Sequence, residues 1–112
     1  MEVLENSIKH LDDFIRLNEQ WISKYFQLEQ ADRDLAANPV LVIQQGGVIF
    51  SLVENEQVIG VCALFNKQQG RYELARMAVH PDAQGRGLGD TLITLCLNKL
   101  TELNAKYVYL VS

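Results

Sequence analysis

Between Arg71 and Val111 the hydrophobic pattern changes period twice, and this change constrains the fold more than any other feature of the chain. The stretch RYELARMAVH (71–80) reads as a strand, and Pro81 stops it. Glycines follow at alternate positions, Gly85, Gly87 and Gly89. Leu88, Leu92, Leu95, Cys96, Leu100 and Leu103 then form one face of an amphipathic helix over about 87–103. Asn104 suits the left-handed residue that ends such a helix. KYVYLV (106–111) is aromatic and β-branched and reads as a further strand. Strand, helix and strand make a β-α-β unit, so its two strands should run parallel or nearly so.

Upstream, Asn6 and Ser7 are suited to cap a helix, and Asp12 and Asp13 fall in its early turns, where the helix dipole favours carboxylates. Ile8, Leu11, Phe14, Ile15, Trp21, Ile22 and Tyr25 recur at helical spacing. One or two helices are expected from about residue 7 to 36, broken between Tyr25 and Asp32 and ended by Asn38-Pro39. PVLVIQQGG (39–47) fits either a short strand or a turn of helix. VIFSLV (48–53), a tight turn at Asn55-Glu56 and QVIGVCALF (57–65) predict an antiparallel hairpin. Gly60, inside the second of these strands, suggests a bulge or a close backbone approach. The expected fold is a single α/β domain over 1–112, with N-terminal helices and a mixed sheet. That sheet is antiparallel through 48–80 and gains a parallel strand at 106–111.

Composition narrows the function. Hydrophobic residues make up 48% of the chain, which argues for a packed core rather than disorder. The net charge of -4 argues against a nucleic-acid surface. Cys62 and Cys96 each sit in an apolar run and read as buried, reduced thiols. No CxxC or Cys/His ligand spacing occurs, so no metal site is expected. The N-terminus lacks the pattern of a signal peptide, and no apolar run is long enough to span a bilayer, so the default expectation is a cytoplasmic protein without a membrane partner.

The glycine turn opens a helix, and the first N–H groups of a helix have no partner inside it. Glycines let an anion approach such backbone closely, and the helix dipole adds positive potential. Two familiar phosphate loops fail here. In G-x-G-x-x-G the third glycine position holds Asp90, and the P-loop lysine is missing. What remains is Gln84, two residues, Gly87, one residue, Gly89. This spacing resembles the acetyl-coenzyme A signature of the GNAT superfamily of N-acetyltransferases. The preceding segment matches that family as well: an apolar strand runs into Val79-His80-Pro81-Asp82-Ala83-Gln84-Gly85-Arg86-Gly87-Leu88-Gly89.

The resemblance implies a set of roles. Backbone N–H groups from Gly85 to Asp90, a run that includes Arg86, Gly87, Leu88 and Gly89, would hold the coenzyme A pyrophosphate, with Gln84 opening the motif. Met77, Ala78 and Val79 would pair with the pantetheine amides as a pseudo-strand, which requires this strand to splay from its neighbour and favours a β-bulge in it. Arg86 would add charge to the phosphates or stand as a solvated arginine. Glu73 would be the general base for the amine, against a surface carboxylate near Arg71 or Arg76. Strict alternation puts Glu73, Ala75, Met77 and Val79 on one face. His80 reads as turn chemistry, and Tyr25, Tyr107 and Tyr109 as packing residues that could also donate a proton.

The chain departs from the family at its end. Members carry a further helix, often with a tyrosine acting as general acid, and two more strands after the position of 106–111. A fragment of a longer protein, a second copy covering the apolar edge, or a shortened acyl-coenzyme A binder would each account for this. The function implied is transfer of acetyl from acetyl-coenzyme A to an amine on a small molecule or peptide, by direct attack. The alternative is a non-catalytic acyl-coenzyme A binding or dimerising module.

Overall fold

The computed structural model describes residues 1–110. The hydrophobic pattern of the middle of the chain becomes a five-stranded sheet in sequence order, β1 (Glu2–Glu5), β2 (Val48–Glu54), β3 (Gln57–Asn66), β4 (Arg71–Val79) and β5 (Tyr107–Leu110). The first three pairings are antiparallel and β4–β5 is parallel. The mixed α/β fold read from the sequence is therefore the one formed. Val111 of the expected last strand lies outside the described residues.

Helices cover both faces. On one lie α1 (Leu11–Tyr25), α2 (Gln30–Ala37) and α3 (Val40–Gln44). Leu11, Phe14 and Leu17 of α1, with Val42 of α3, pack on Ile49, Val53, Val58, Val61, Ala63 and Ala78. On the other face lies α4 (Leu88–Glu102), whose buried Leu88, Leu92, Cys96 and Leu100 meet Phe50, Leu52, Cys62, Leu64, Tyr72 and Leu74. Each fully buried leucine of this kind is worth about 1.5–3 kcal/mol relative to exposure. The two thiols meet at the centre, Sγ to Sγ 3.8 Å, both fully buried. Contact with the Cys96 thiol, and then burial, push the Cys62 thiol up, so it stays protonated. Asn104 takes φ 53° after α4, and the Ala105 N–H reaches back to the Leu100 carbonyl, completing the predicted left-handed end.

Two local expectations differ, and one left open is resolved. Asn6 and Ser7 do not cap α1, which starts at Leu11 after a short 3-10 turn over Ile8–His10. Instead Asn6 is left-handed (φ 55°), and its Oδ1 accepts from the Ile49 N–H while its own N–H donates to the Ile49 carbonyl. This holds the end of β1, a short and mostly exposed strand with no sequence pattern of its own. Residues 40–44 resolve as helix α3, stopped by Gly46-Gly47. A Cβ on Gly47 would lie 2.5 Å from the Leu64 carbonyl oxygen, so only glycine lets this corner close. Alternation also breaks along β4. Ala63 faces Ala75 and Val61 faces Ala78, so Cys62 alone opposes Arg76 and Met77. This is a two-for-one bulge, as the resemblance favoured for this strand, and Arg76 adopts φ 61°. The strand turns over there, so Glu73 and Ala75 do not share a face with Met77 and Val79 as strict alternation requires. The irregularity expected near Gly60 also occurs, as a register shift in β2–β3 between Leu52↔Gly60 and Val53↔Val58.

The bulge is tied to α2. The Arg76 guanidinium donates to Asp32, whose other oxygen accepts the Glu29 N–H at 2.8 Å as part of the α2 capping box. The Glu29 N–H, and then the Arg76 guanidinium, hold the Asp32 carboxyl below its ordinary value. Asp32 thus stabilises the fold above the unfolded carboxyl value near pH 4, and this contribution is lost as pH falls through its lower folded value. Asp32→Asn should cost about 1–2 kcal/mol at neutral pH. Urea unfolding should show that deficit shrinking towards zero in strong acid.

Candidate functional site

The site is built around β4, where pairing with β5 ends. The register runs from Arg71↔Tyr107 to Leu74↔Leu110, leaving β4 from Ala75 to Val79 without a β5 partner among the described residues. Beyond Val79 the chain makes a 3-10 turn over Pro81–Ala83, and the His80 Nδ1 accepts from the Asp82 N–H at 3.1 Å. His80 is therefore occupied in capping this turn. Gln84 follows, and its side-chain amide donates back to the Val79 carbonyl at 3.3 Å, bracing the loop against the strand.

Gly85 and Gly87 then take φ 81° and 75°, and a Cβ on either would meet nothing within 4 Å. The glycines are required by backbone conformation, and the space beside them is open. Gly87 is the N-cap of α4 and offers no side chain to its first turn. The backbone N–H groups of Gly85, Arg86, Gly87, Leu88, Gly89 and Asp90 donate to no protein acceptor among the described residues, and the first closing bond is Thr91 N–H to the Gly87 carbonyl. A hollow of about 230 Å³ lies here, lined by Val79, Ala83, Gln84, Gly85, Gly87, Leu88, Gly89 and Asp90. Unpaired N–H groups at the positive end of a 15-residue helix make a site able to receive an anion.

Arg86 does not line that hollow. Its guanidinium makes a two-pronged bond with Glu54 at the end of β2, at 2.8 and 3.1 Å. Glu54 is a partner the sequence reading missed, because residues 32 apart in sequence meet only through the sheet. Ala78 is buried against the α1 side, so only its backbone is open to a ligand. Met77 packs towards α4, and its sulfur lies 3.7 Å from where a Gly89 Cβ would stand.

A larger cleft of about 610 Å³ opens on the α1 side of β4. Trp21, Ile22 and Phe26 from the end of α1, Glu29 and Asp32 at the start of α2, and Glu73, Arg76 and Met77 from β4 line it. Glu73 is partly buried there, with Lys67 Nζ at 3.6 Å from its Oε2. It pairs with neither Arg71 nor Arg76. Arg71 donates to the Gln68 and Lys67 carbonyls, and Arg76 is taken by Asp32. Met77 borders this cleft while packing beside Gly89, and so stands between the two hollows. Tyr25, Tyr107 and Tyr109 are all exposed rather than packed into the core. Trp21 was legible only as a helix-face residue and Phe26, just past the end of α1, not at all; nothing local marked either as a cleft wall. Among the described residues no cluster of His, Cys, Asp and Glu could hold a metal ion, and no helix is long and apolar enough to cross a membrane.

Solved structures share this architecture. An acetyltransferase of the GNAT family from Staphylococcus aureus Mu50 superposes with TM-score 0.87 at 16% identity, covering 99% of this chain and 72% of that one. A predicted acetyltransferase from Clostridium acetobutylicum, solved with acetyl-CoA, gives 0.77 at 18% identity, covering 99% of this chain and 80% of its own. A ribosomal-protein-alanine N-acetyltransferase from Brucella melitensis biovar Abortus 2308 gives 0.74 at 16% identity, covering 99% and 79%. These identities speak for the fold alone. None of the curated proteins matches the sequence. The acetyltransferase (GNAT) family, however, matches the sequence itself over residues 10–112, nearly its whole length, and the chain belongs to that family.

Proposed function

We propose that the chain binds acetyl-coenzyme A at the glycine turn and transfers its acetyl group to an amine held in the cleft beside Glu73. The observation that carries this reading is the run of unpaired backbone N–H groups from Gly85 to Asp90, at left-handed glycines with open space beside them. A pyrophosphate fits that donor set: it is anionic, rich in acceptors and needs no side chain. Met77, Ala78 and Val79 lie on the stretch of β4 whose edge β5 leaves open, where an extended amide-bearing arm can add as a strand. Gln84 serves by bracing Val79. Arg86 reaches a phosphate only by leaving Glu54, so it is the swing member of the set.

In the reaction a neutral amine attacks the thioester carbonyl carbon. A C–N bond forms, the C–S bond breaks, and the coenzyme leaves as a thiolate that takes up a proton. Glu73 accepts the amine proton, directly or through water. Backbone donors of β4 stabilise the oxygen as it gains charge. The bulge suits this division, because Glu73 faces the cleft while Met77 lies at the boundary with the turn. The competing reading is a non-catalytic acyl-coenzyme A binder. It shares the turn and makes no use of Glu73.

Titration calorimetry should give saturable acetyl-coenzyme A binding that Gly87→Glu abolishes, since the variant adds a negative charge and a side chain at φ 75°. Thermal melting checks that the variant remains folded. Glu73→Gln should leave that binding within about twofold while cutting thiol release with an accepted amine by about a hundredfold or more. Equal turnover by the variant would favour the binder. The same reading includes a homodimer, because Tyr107, Val108, Tyr109 and Leu110 of the sheet-edge strand are all exposed. Light scattering should give twice the chain mass, reduced to the single chain by Leu110→Lys.

A further inference from the structure

We propose that the acceptor is a small diamine or polyamine, whose reacting nitrogen lies at Glu73 and whose second cation sits between Trp21, Phe26 and Glu29. This rests on the acetyl-transfer reading and adds the substrate class to it. The cleft sets the carboxylates of Glu29, Asp32 and Glu73 against the guanidinium of Arg76. Arg76 is committed to Asp32, so these two cancel and leave the carboxylates of Glu29 and of Glu73, the latter in an ion pair with Lys67 at the mouth of the cleft. Lys67 offsets Glu73 only from 3.6 Å and is half exposed. Arg33 does not line the cleft; its guanidinium donates to the Leu28 carbonyl and Gln30, and its charge adds only the smallest of the pulls that lower the Asp32 carboxyl.

The aromatic wall supports the same chemistry. Trp21 is 42% exposed and Phe26 69%, a large exposure for side chains that could have been buried. Trp21 is held in a tilted contact with Tyr25, ring centres 4.5 Å apart, which fixes its orientation. An aromatic face beside a carboxylate attracts an alkylammonium through both the ring quadrupole and Coulomb's law. The methylene chain between two amines has apolar wall to lie on in Ile22, Ala75 and Met77. A zwitterionic amino acid fares badly, because its carboxylate would face Glu29 or Glu73 with the one lining guanidinium already paired. A volume of about 610 Å³ accommodates a flexible chain of this kind.

Trp21 is the only tryptophan, so intrinsic fluorescence reads the cleft without turnover. Putrescine, butylamine and γ-aminobutyrate share a four-carbon chain and differ at the distal end: ammonium, methyl or carboxylate. Titrated into the chain saturated with coenzyme A, which has no acetyl group to transfer, putrescine should bind about tenfold or more tighter than butylamine. γ-Aminobutyrate should bind weakest. The putrescine preference should fall in Glu29→Gln and, independently of the α2 cap, in Phe26→Leu. Butylamine equal to putrescine, or γ-aminobutyrate tightest, overturns the proposal. So does tighter binding of a basic peptide amide, which would assign the cleft to a protein tail. Calorimetric binding of acetyl-coenzyme A with no amine response defeats the diamine assignment alone, whereas no acetyl-coenzyme A binding defeats the acetyl-transfer reading beneath it.

Discussion

The site depends on one extra residue in β4. A strand that alternated without interruption would put Glu73, Met77 and Val79 on the same face, and the helix on that face would have to cover all three. The bulge at Arg76 and Met77 turns the strand over. Glu73 then faces the α1 side while Val79 packs on the α4 side, and the backbone between them is twisted away from the sheet edge. A left-handed arginine costs about 1–2 kcal/mol. The Asp32 carboxylate offsets this by holding the Arg76 guanidinium with one oxygen while the other takes part in capping α2. The cost of the bulge is thus met by the helix that walls the cleft.

The two hollows that flank β4 have opposite electrostatic characters. The turn at Gly85 to Asp90 presents N–H groups at the positive end of α4, whereas the cleft presents carboxylates and aromatic faces. An anion would find the turn complementary and the cleft repulsive, and a cation the reverse. Met77 borders both hollows. Glu54 modifies this picture by holding Arg86 at the rim of the turn. The Arg86 bond, and then its charge, hold the Glu54 carboxyl below its ordinary value. Both groups keep much of their side chains in solvent, so the pair adds little to stability.

Much of this was legible in the sequence because it rests on local rules. The strand, glycine turn and helix at 71–103 follow from period, from proline and glycine placement and from the N–H groups that any helix leaves unpaired. The hairpin at 48–65 and the left-handed Asn104 are local in the same sense. Strand β1 and the role of Asn6 were not legible. EVLE has no alternation to read, and Asn6 binds Ile49, 43 residues away, in preference to the adjacent helix. The cleft was half legible: Glu73 was named through the family resemblance, but Trp21, Phe26 and Arg76 come together only once the end of α1, the start of α2 and β4 are brought side by side.

The sequence by itself determined the fold class, the glycine turn and the family, because each is written in runs of neighbouring residues whose spacing matches a backbone geometry. Only the tertiary structure decided that β4 turns over at Arg76, that Arg76 answers to Asp32 rather than Glu73, and that Arg86 answers to Glu54. The physical reason is the range of the forces. Hydrogen bonding along a chain fixes elements one at a time, whereas ion pairs and aromatic walls form only after the hydrophobic faces of distant elements have been pressed together.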